Sequence, residues 1–347
     1  MPKITTVNPS RPRILLIKLS SLGDVIHALP FLEALRETFP QGRITWLVER
    51  AFSPLLMGHP ALDQVWAVPR LRLTQGWSAA NLGELGRLLR RLRSQEFDLV
   101  IDLQGLLKSA VWAALARSPR KAGYDKTREG SYLVLNERLE PYDPEAHAVK
   151  RYLNLAHYLG APPALPRFRL GLTPDVDPAR FFPDSAPQEF VVLHPGARWA
   201  TKLWPAGSWA QLADWLSRQG FRVVITGSAA DRQLTEEISA RMHEPALNLA
   251  GETSLAELAG LLKKARFAIT ADTGPMHLAA ALGTKVVAVF GPTAPWRTGP
   301  FGAGHEIVRL ELECSPCFKR QCPAPRCLSE LSWETARAAC EKILSSH

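Results

Sequence analysis

The stretch RILLIKLSSLGDVIHALPFLEALRETF, residues 13–39, decides how the chain is read. An apolar run, RILLI, gives way to a tight turn and then to apolar residues at helical spacing, the strand, turn and helix with which nucleotide-binding domains begin. Such domains place glycines at this turn for an anionic phosphate, but here the turn carries an acid, Asp24. Two readings are open. Ser20 or Ser21 caps the helix and Asp24 complements its positive end, or Gly23 tightens the turn so that Asp24 serves as a general base held at the start of a rigid helix.

Outward from this stretch, short β-rich apolar runs alternate with longer amphipathic ones. The strand candidates are RILLIKL, RITWLVE, DQVWAV and DLVIDLQ in the first half, and EFVVLHPG, RVVITGS, FAITAD and TKVVAVFG in the second. This alternation predicts an α/β chain of βα units on parallel sheets. Between the halves the chain is proline-rich (APPALPRFRLGLTPDVDPARFFPDSAP), which reads as a linker. The expected organisation is a first domain over 1–170, a linker over 171–187, a second domain over 188–328 and a terminal helix over 329–347. Two doubly wound domains in tandem place a cleft between them, with ligands at the carboxyl ends of the strands.

At 347 residues, two cores are the better prior than one. The 42 Lys and Arg against 33 Asp and Glu give a formal charge of +9, which favours anionic partners. The N-terminal MPKITTVNPSRPR has no apolar signal region, and no later run reaches the length of a membrane span, so a cytoplasmic protein is expected. Neither G-x-G-x-x-G nor G-x4-G-K-[ST] occurs, which disfavours a dinucleotide-dependent oxidoreductase and a P-loop ATPase. H-E-x-x-H and G-x-S-x-G are absent as well. Four of the five cysteines, Cys314, Cys317, Cys322 and Cys327, crowd CSPCFKRQCPAPRC. Metal binding, disulfides and a reduced loop all remain open for them.

The second half holds most of the chemistry-bearing turns. VVLHPGARWATKLWP ends a strand in a loop carrying Arg198, Thr201 and Lys202; a lysine there either neutralises a phosphate or is a solvated loop residue between Trp199 and Trp204. In ITADTGPMHLAAALG a strand ends at Asp272, and Thr273, Gly274 and Pro275 open a helix whose free N–H groups and positive end suit a diphosphate. His277 lies one turn in, either facing that ligand or packing. In RVVITGSAADRQ, Asp231 is placed to hydrogen-bond ribose hydroxyls or to cap a helix. Pro292 and Thr293 in GPTAPWRTGPFG are further candidates for the nucleotide pocket.

Together IKLSSLGDVIHALP, DLVIDLQGLLKSA, HPGARWATKLWP and DTGPMHLAAALG with FGPT, in that order over about residues 13 to 300, resemble glycosyltransferase family 9, the ADP-heptose:lipopolysaccharide heptosyltransferases. The first half is most similar to heptosyltransferase I, and the tail CSPCFKRQCP to heptosyltransferase II. The resemblance implies a GT-B architecture, two Rossmann-like doubly wound domains facing across a cleft, acceptor on the first and nucleotide sugar on the second. It implies metal-independent inverting transfer without a cofactor, ADP-heptose as donor, and Kdo2-lipid A or the heptosylated inner core as acceptor. Asp24 matches the catalytic aspartate and Lys202 the phosphate-binding lysine. Gly23, Thr201, Asp231, Asp272, Thr273, Gly274, Pro275 and His277 fall on donor-side positions. Arg70, Arg72, Lys108, Arg128 and Arg151 match basic positions for the anionic acceptor. The expected location is the cytoplasmic face of the inner membrane, peripherally bound, with no nucleic-acid partner. A non-catalytic nucleotide-sugar binding module is the alternative from another class. The last stretch, LSWETARAACEKILSS, is expected to pack back across the first domain.

Overall fold

The computed structural model describes residues 11–69, 79–174, 181–182 and 189–345. The chain divides into two compact units, Met1–Leu172 and Thr173–His347.

In the first unit a six-stranded parallel sheet runs in the order β3-β2-β1-β4-β5-β6. The strands are β1 Arg13–Ile17, β2 Arg43–Glu49, β3 Gln64–Val68, β4 Leu99–Asp102, β5 Lys121–Tyr124 and β6 Glu137–Leu139. β1 and β4 are apolar almost throughout because helices cover both faces of such a sheet. The helices are α1 Leu22–His27, α2 Leu29–Thr38, α3 Ala79–Arg93, α4 Leu107–Leu115 and α5 Ala148–Tyr158. The single helical run expected after Asp24 is two helices that meet at Ala28, with Pro30 in the first turn of α2, where its missing N–H is harmless. One side of the sheet is sealed by Leu15, Ile17, Leu47, Val100, Trp66 and Trp112.

The second unit repeats the same order, β9-β8-β7-β10-β11-β12, again with every pairing parallel. Its strands are β7 Phe190–His194, β8 Arg222–Ile225, β9 Ala246–Asn248, β10 Ala268–Ala271, β11 Val286–Phe290 and β12 Glu306–Arg309. Its helices are α6 Ala206–Arg218, α7 Arg232–Arg241, α8 Leu255–Lys264, α9 Gly274–Ala281, α10 Pro295–Thr298, α11 Arg326–Ser329 and α12 Trp333–Ser345. α12 packs on α6, β11 and β12, and its Ala336, Ala339, Cys340 and Ile343 are buried in the core of this unit. Its apolar stripe is thus covered by its own unit, where the sequence suggested packing across the first domain. Trp204 locks the join, donating its indole N–H to Leu331 O at 2.9 Å and meeting Trp209 edge to face at 5.2 Å. Among the described residues, no helix is long and apolar enough to cross a membrane.

In both units strand order reverses beside the first strand: between β1 and β4, where Ile17 pairs with Asp102, and between β7 and β10, where His194 pairs with Thr270. Loops part at such a point, so each unit has a crevice beyond the carboxyl ends of its two central strands.

Candidate active site

At the first unit's switch point the chain leaves β1 through Lys18, Leu19, Ser20 and Ser21 before α1. Gln104, after β4, closes the gap: its Oε1 accepts the Leu19 and Ser20 N–H groups, each at 3.1 Å. Asp24 occupies the third position of α1, where its Oδ2 accepts the Ser21 N–H at 3.0 Å and the Ser21 hydroxyl at 2.8 Å. Asp24 therefore does cap its own helix. Its side chain is still 43% exposed, and its other oxygen lies 3.6 Å from Lys18 Nζ. Gly23 is buried inside the same turn.

Lys18 is the cation behind this acid. It ends an apolar strand, is 3% exposed at its side chain, donates to Leu103 O at 3.2 Å and stands 5.0 Å from the Tyr152 ring centre. Burial works against its charge, but Tyr152 and Asp24 outweigh that and leave its pKa raised. Burial also raises Asp102, against hydrogen bonds from Gln104 N–H, Gly105 N–H and Ser109 Oγ.

Of the predicted acceptor residues, Lys108 joins this cluster from the first turn of α4, donating to Ser20 Oγ and, at 2.9 Å, to Glu49 Oε1. Arg151 lies on α5 next to Tyr152; its backbone carbonyl accepts the Tyr124 hydroxyl, while its buried Nε makes no hydrogen bond among the described residues. Burial pushes the Tyr124 phenol up to about 12. Arg128 is exposed in the turn Arg128–Val134 that follows β5. Arg70 and Arg72 lie outside the described residues.

The second unit's switch point opens into a cavity of about 790 Å³, within the range of small-ligand sites. Its polar wall includes His194, Arg198, Ser228, Asp231, Ser254 and Thr273, and its apolar wall Leu203, Leu234, Leu255, Leu258 and Pro275. Asp231 is oriented by Ser228, whose N–H and hydroxyl donate to Oδ2 at 2.7 and 2.6 Å. It also presses against the β7 loop: a Cβ on Gly196 would lie 2.5 Å from Asp231 Cγ, so only glycine leaves the carboxylate in place. His194 is buried on β7, its Nδ1 3.0 Å from Thr226 Oγ1. Burial lowers its pKa to about 4, against the pull of Asp231, so at neutral pH it presents an uncharged ring.

Lys202 follows Ala200 in a single 3-10 turn, its ammonium 2.5 Å from Asp272 Oδ2, 3.3 Å from Asp272 O and 4.7 Å from the Trp199 ring centre. The same Asp272 oxygen accepts the Thr293 hydroxyl at 2.5 Å. With side chains 16% and 5% exposed, this is a nearly dry ion pair just past β10, one residue before Thr273, which begins the cavity wall and sits at the N-cap position of α9. Gly274 opens α9 and His277 is buried one turn in. Thr201 does not turn toward the cavity: its hydroxyl donates to Lys319 O at 2.9 Å. Thr293 orients Asp272, and Pro292 accepts N–H groups from Cys317 and Phe318, so neither is part of the cavity wall expected of them. All four clustered cysteines are free thiols, Cys327 buried, and the described residues form no metal-ligating group of three or more.

Sequence reasoning missed Lys18, Gln104 and Tyr152 in the first unit and Gly196, Ser228 and Ser254 in the second. A lysine closing an all-apolar strand was a usable signal for the first. The S-x-x-E pattern of Ser254 to Glu257 and the S-x-x-D pattern of Ser228 to Asp231 mark helix starts at strand ends.

Two doubly wound units with the same strand order, the second with a cavity of about 790 Å³ at its switch point, make up the GT-B fold. The family model described as "Glycosyltransferase family 9 (heptosyltransferase)" matches residues 85–328. Lipopolysaccharide heptosyltransferase 1 of Pseudomonas aeruginosa is 36% identical over 322 residues, covering 89% of this chain and 87% of that one. The structure of E. coli ADP-heptose LPS heptosyltransferase II superposes with a TM-score of 0.76 at 26% identity, covering 96% and 98% of the two chains. E. coli heptosyltransferase WaaC with ADP-2-deoxy-2-fluoro heptose does so with a TM-score of 0.74 at 27% identity, covering 95% and 99%. The chain belongs to glycosyltransferase family 9.

Proposed function

We propose that the protein is an inverting heptosyltransferase that moves a heptose from ADP-heptose to the Kdo/heptose inner core of lipopolysaccharide, with the first heptose transfer favoured. The observation that carries this reading is the cavity lined by an oriented acid, Asp231, beyond β8 and by the start of α9 beyond β10, the two strands that flank β7. ADP fits this chemistry. Leu234, Leu255 and Leu258 offer an apolar wall for adenine, Asp231 accepts from ribose hydroxyls, and the α9 amides with Arg198 receive the diphosphate. The relative crystallised with a fluorinated ADP-heptose points to the same donor.

In the first unit Asp24 acts as general base. Lys18 favours its ionised form, and Ser21 fixes one carboxylate oxygen while the other takes the acceptor hydroxyl's proton. The freed oxygen attacks the anomeric carbon opposite ADP, whose departing β-phosphate gains negative charge. Lys202 balances that charge without a metal, already desolvated and aimed by Asp272 and Thr293. On the acceptor side, Lys108, Arg151 and Arg128, with Arg70 and Arg72, bind the Kdo carboxylates and lipid A phosphates. Because the acceptor is a lipid, the enzyme works at the cytoplasmic face of the inner membrane, held there peripherally with its formal +9 charge toward anionic headgroups.

A second transfer, onto an existing heptose, is the other reading, favoured by the cysteine-bearing tail and the likeness to heptosyltransferase II. Asp24→Ala tests the mechanism: transfer should be abolished while ADP binds as in the wild type. Full turnover by that variant removes the base from Asp24.

A further inference from the structure

The cysteine segment Cys314–Cys327 has no part in the function above, yet it touches the supports of Lys202 on two sides. On one side Lys319 O accepts the Thr201 hydroxyl at 2.9 Å, next door to Lys202. The Arg320 guanidinium stands 5.1 Å from the centre of the Trp199 ring, the ring that also carries the Lys202 ammonium at 4.7 Å. On the other side the Phe318 and Cys317 N–H groups donate to Pro292 O at 2.8 and 3.0 Å, and Ser315 Oγ to Gly291 O at 2.7 Å. The next residue, Thr293, holds the Asp272 oxygen that pairs with Lys202. Arg297 clamps the turn from outside, 5.0 Å from the Phe318 ring centre. One short segment thus fastens both the loop that carries the lysine and the loop that aims its counterion.

We infer that Ser315–Arg320 is a brace that positions Lys202, with Thr201 and Arg320 as the positioning residues through which it acts. A lysine is a point charge on a flexible stem of four methylenes, and much rotamer freedom is lost when it is held in one pose. Its contact with a developing phosphate charge therefore depends on how firmly the stem is held beforehand. Burial alone does not supply that hold, since the side chain keeps some exposure. The Trp199 face attracts the ammonium, and the ring is in turn kept in place by Arg320, while the Lys319 carbonyl ties down the backbone at Thr201. This inference rests on the reading of Lys202 as the cation for the leaving phosphate.

The test is a double-mutant comparison in heptose transfer, with ADP-heptose as donor. Arg320 is exposed, so Arg320→Ala leaves the core intact; Thr201→Val keeps the shape of the side chain and removes its donor. Each should lower kcat about tenfold while KM for the acceptor stays unchanged. Arg320→Lys and Thr201→Ser should restore most of the loss. In a Lys202→Ala background the same substitutions should change kcat by about twofold or less, because the group they position is gone. An equal fall in both backgrounds would make the segment merely structural and overturn the inference, as would wild-type kcat in Arg320→Ala and Thr201→Val. Wild-type kcat in Lys202→Ala alone would overturn the reading of Lys202 itself, and the inference with it.

Discussion

Replacing Gly196 by alanine probes the donor cavity with a single methyl group. The added Cβ would lie 2.5 Å from Asp231 Cγ and 2.6 and 2.7 Å from its two oxygens, far inside van der Waals contact, so the carboxylate must move by roughly 1 Å. That shift breaks the hydrogen bonds from the Ser228 N–H and hydroxyl at 2.7 and 2.6 Å. Bonds to a charged acceptor contribute about 1.5 to 3 kcal/mol each, but Asp231 is only half-buried and water replaces part of them. The net loss of stability should be about 1 to 3 kcal/mol, a fall in Tm of roughly 1 to 4 °C for a chain of this size. ADP should bind about 10- to 100-fold more weakly, since its ribose loses the acid that faces it. Isothermal titration calorimetry with ADP and a thermal melt measure the two effects. In an Asp231→Ala background Gly196→Ala should cost little further stability, because the methyl then has room. Wild-type ADP affinity in Gly196→Ala, or an undiminished penalty in the Asp231→Ala background, would show that the methyl does not displace Asp231.

Lys202→Ala should lower transfer by about 10²- to 10³-fold through the lost stabilisation of the leaving phosphate. It also strands the Asp272 carboxylate, so its Tm should fall as well, which a melt beside the kinetic assay will show. Lys108→Ala should raise KM for the acceptor and leave ADP affinity at the wild-type value, read from initial rates at varied acceptor. His194 and His59, the latter buried before β3 with its Nε2 3.0 Å from the Arg169 carbonyl, both have pKa values lowered to about 4 by burial, from an ordinary 6.5. Unfolded chains therefore take up protons that the folded protein refuses between those two values. Stability is fully present above pH 6.5 and declines toward pH 4, with a slope of up to about 1.4 kcal/mol per pH unit for each histidine. Urea titrations at pH 5 and pH 7 should show that decline, and His194→Gln should flatten it.

Much of the fold was legible because a parallel sheet buried on both faces writes its central strands as unbroken apolar runs. RILLI, LVID, FVVLH and AITA each became a strand at the middle of its sheet. The unread strands lie toward or at the edges. β5, KAGY, holds a glycine whose place is set by Leu135 and the Asp102 carbonyl, and β6 and β9 are three residues each. Propensity has little to show in such short pieces. Site residues at strand ends were readable one by one, since acids and small residues at a helix start carry a local signal. Whether such an acid caps its helix or serves the ligand, as a base for Asp24 and as a ribose acceptor for Asp231, was posed in the sequence as a choice. For Asp24 and Asp231 the structure shows the cap, one carboxylate oxygen being fixed while the group stays open to solvent or cavity. Long-range partners were out of reach: nothing local in KLSSLGD announces Gln104 or Tyr152, and nothing in CSPCFKRQCP announces Thr201.

Transfer of a heptose from ADP-heptose to the lipopolysaccharide inner core can be followed directly. Purified protein, ADP-heptose and Kdo2-lipid A, with the heptosylated product as a parallel acceptor, test it in one mass-spectrometric assay. One heptose should be added to Kdo2-lipid A, with ADP released in equal amount and none of it with Asp24→Ala. Folded, ADP-binding protein that adds no heptose to either acceptor would contradict it.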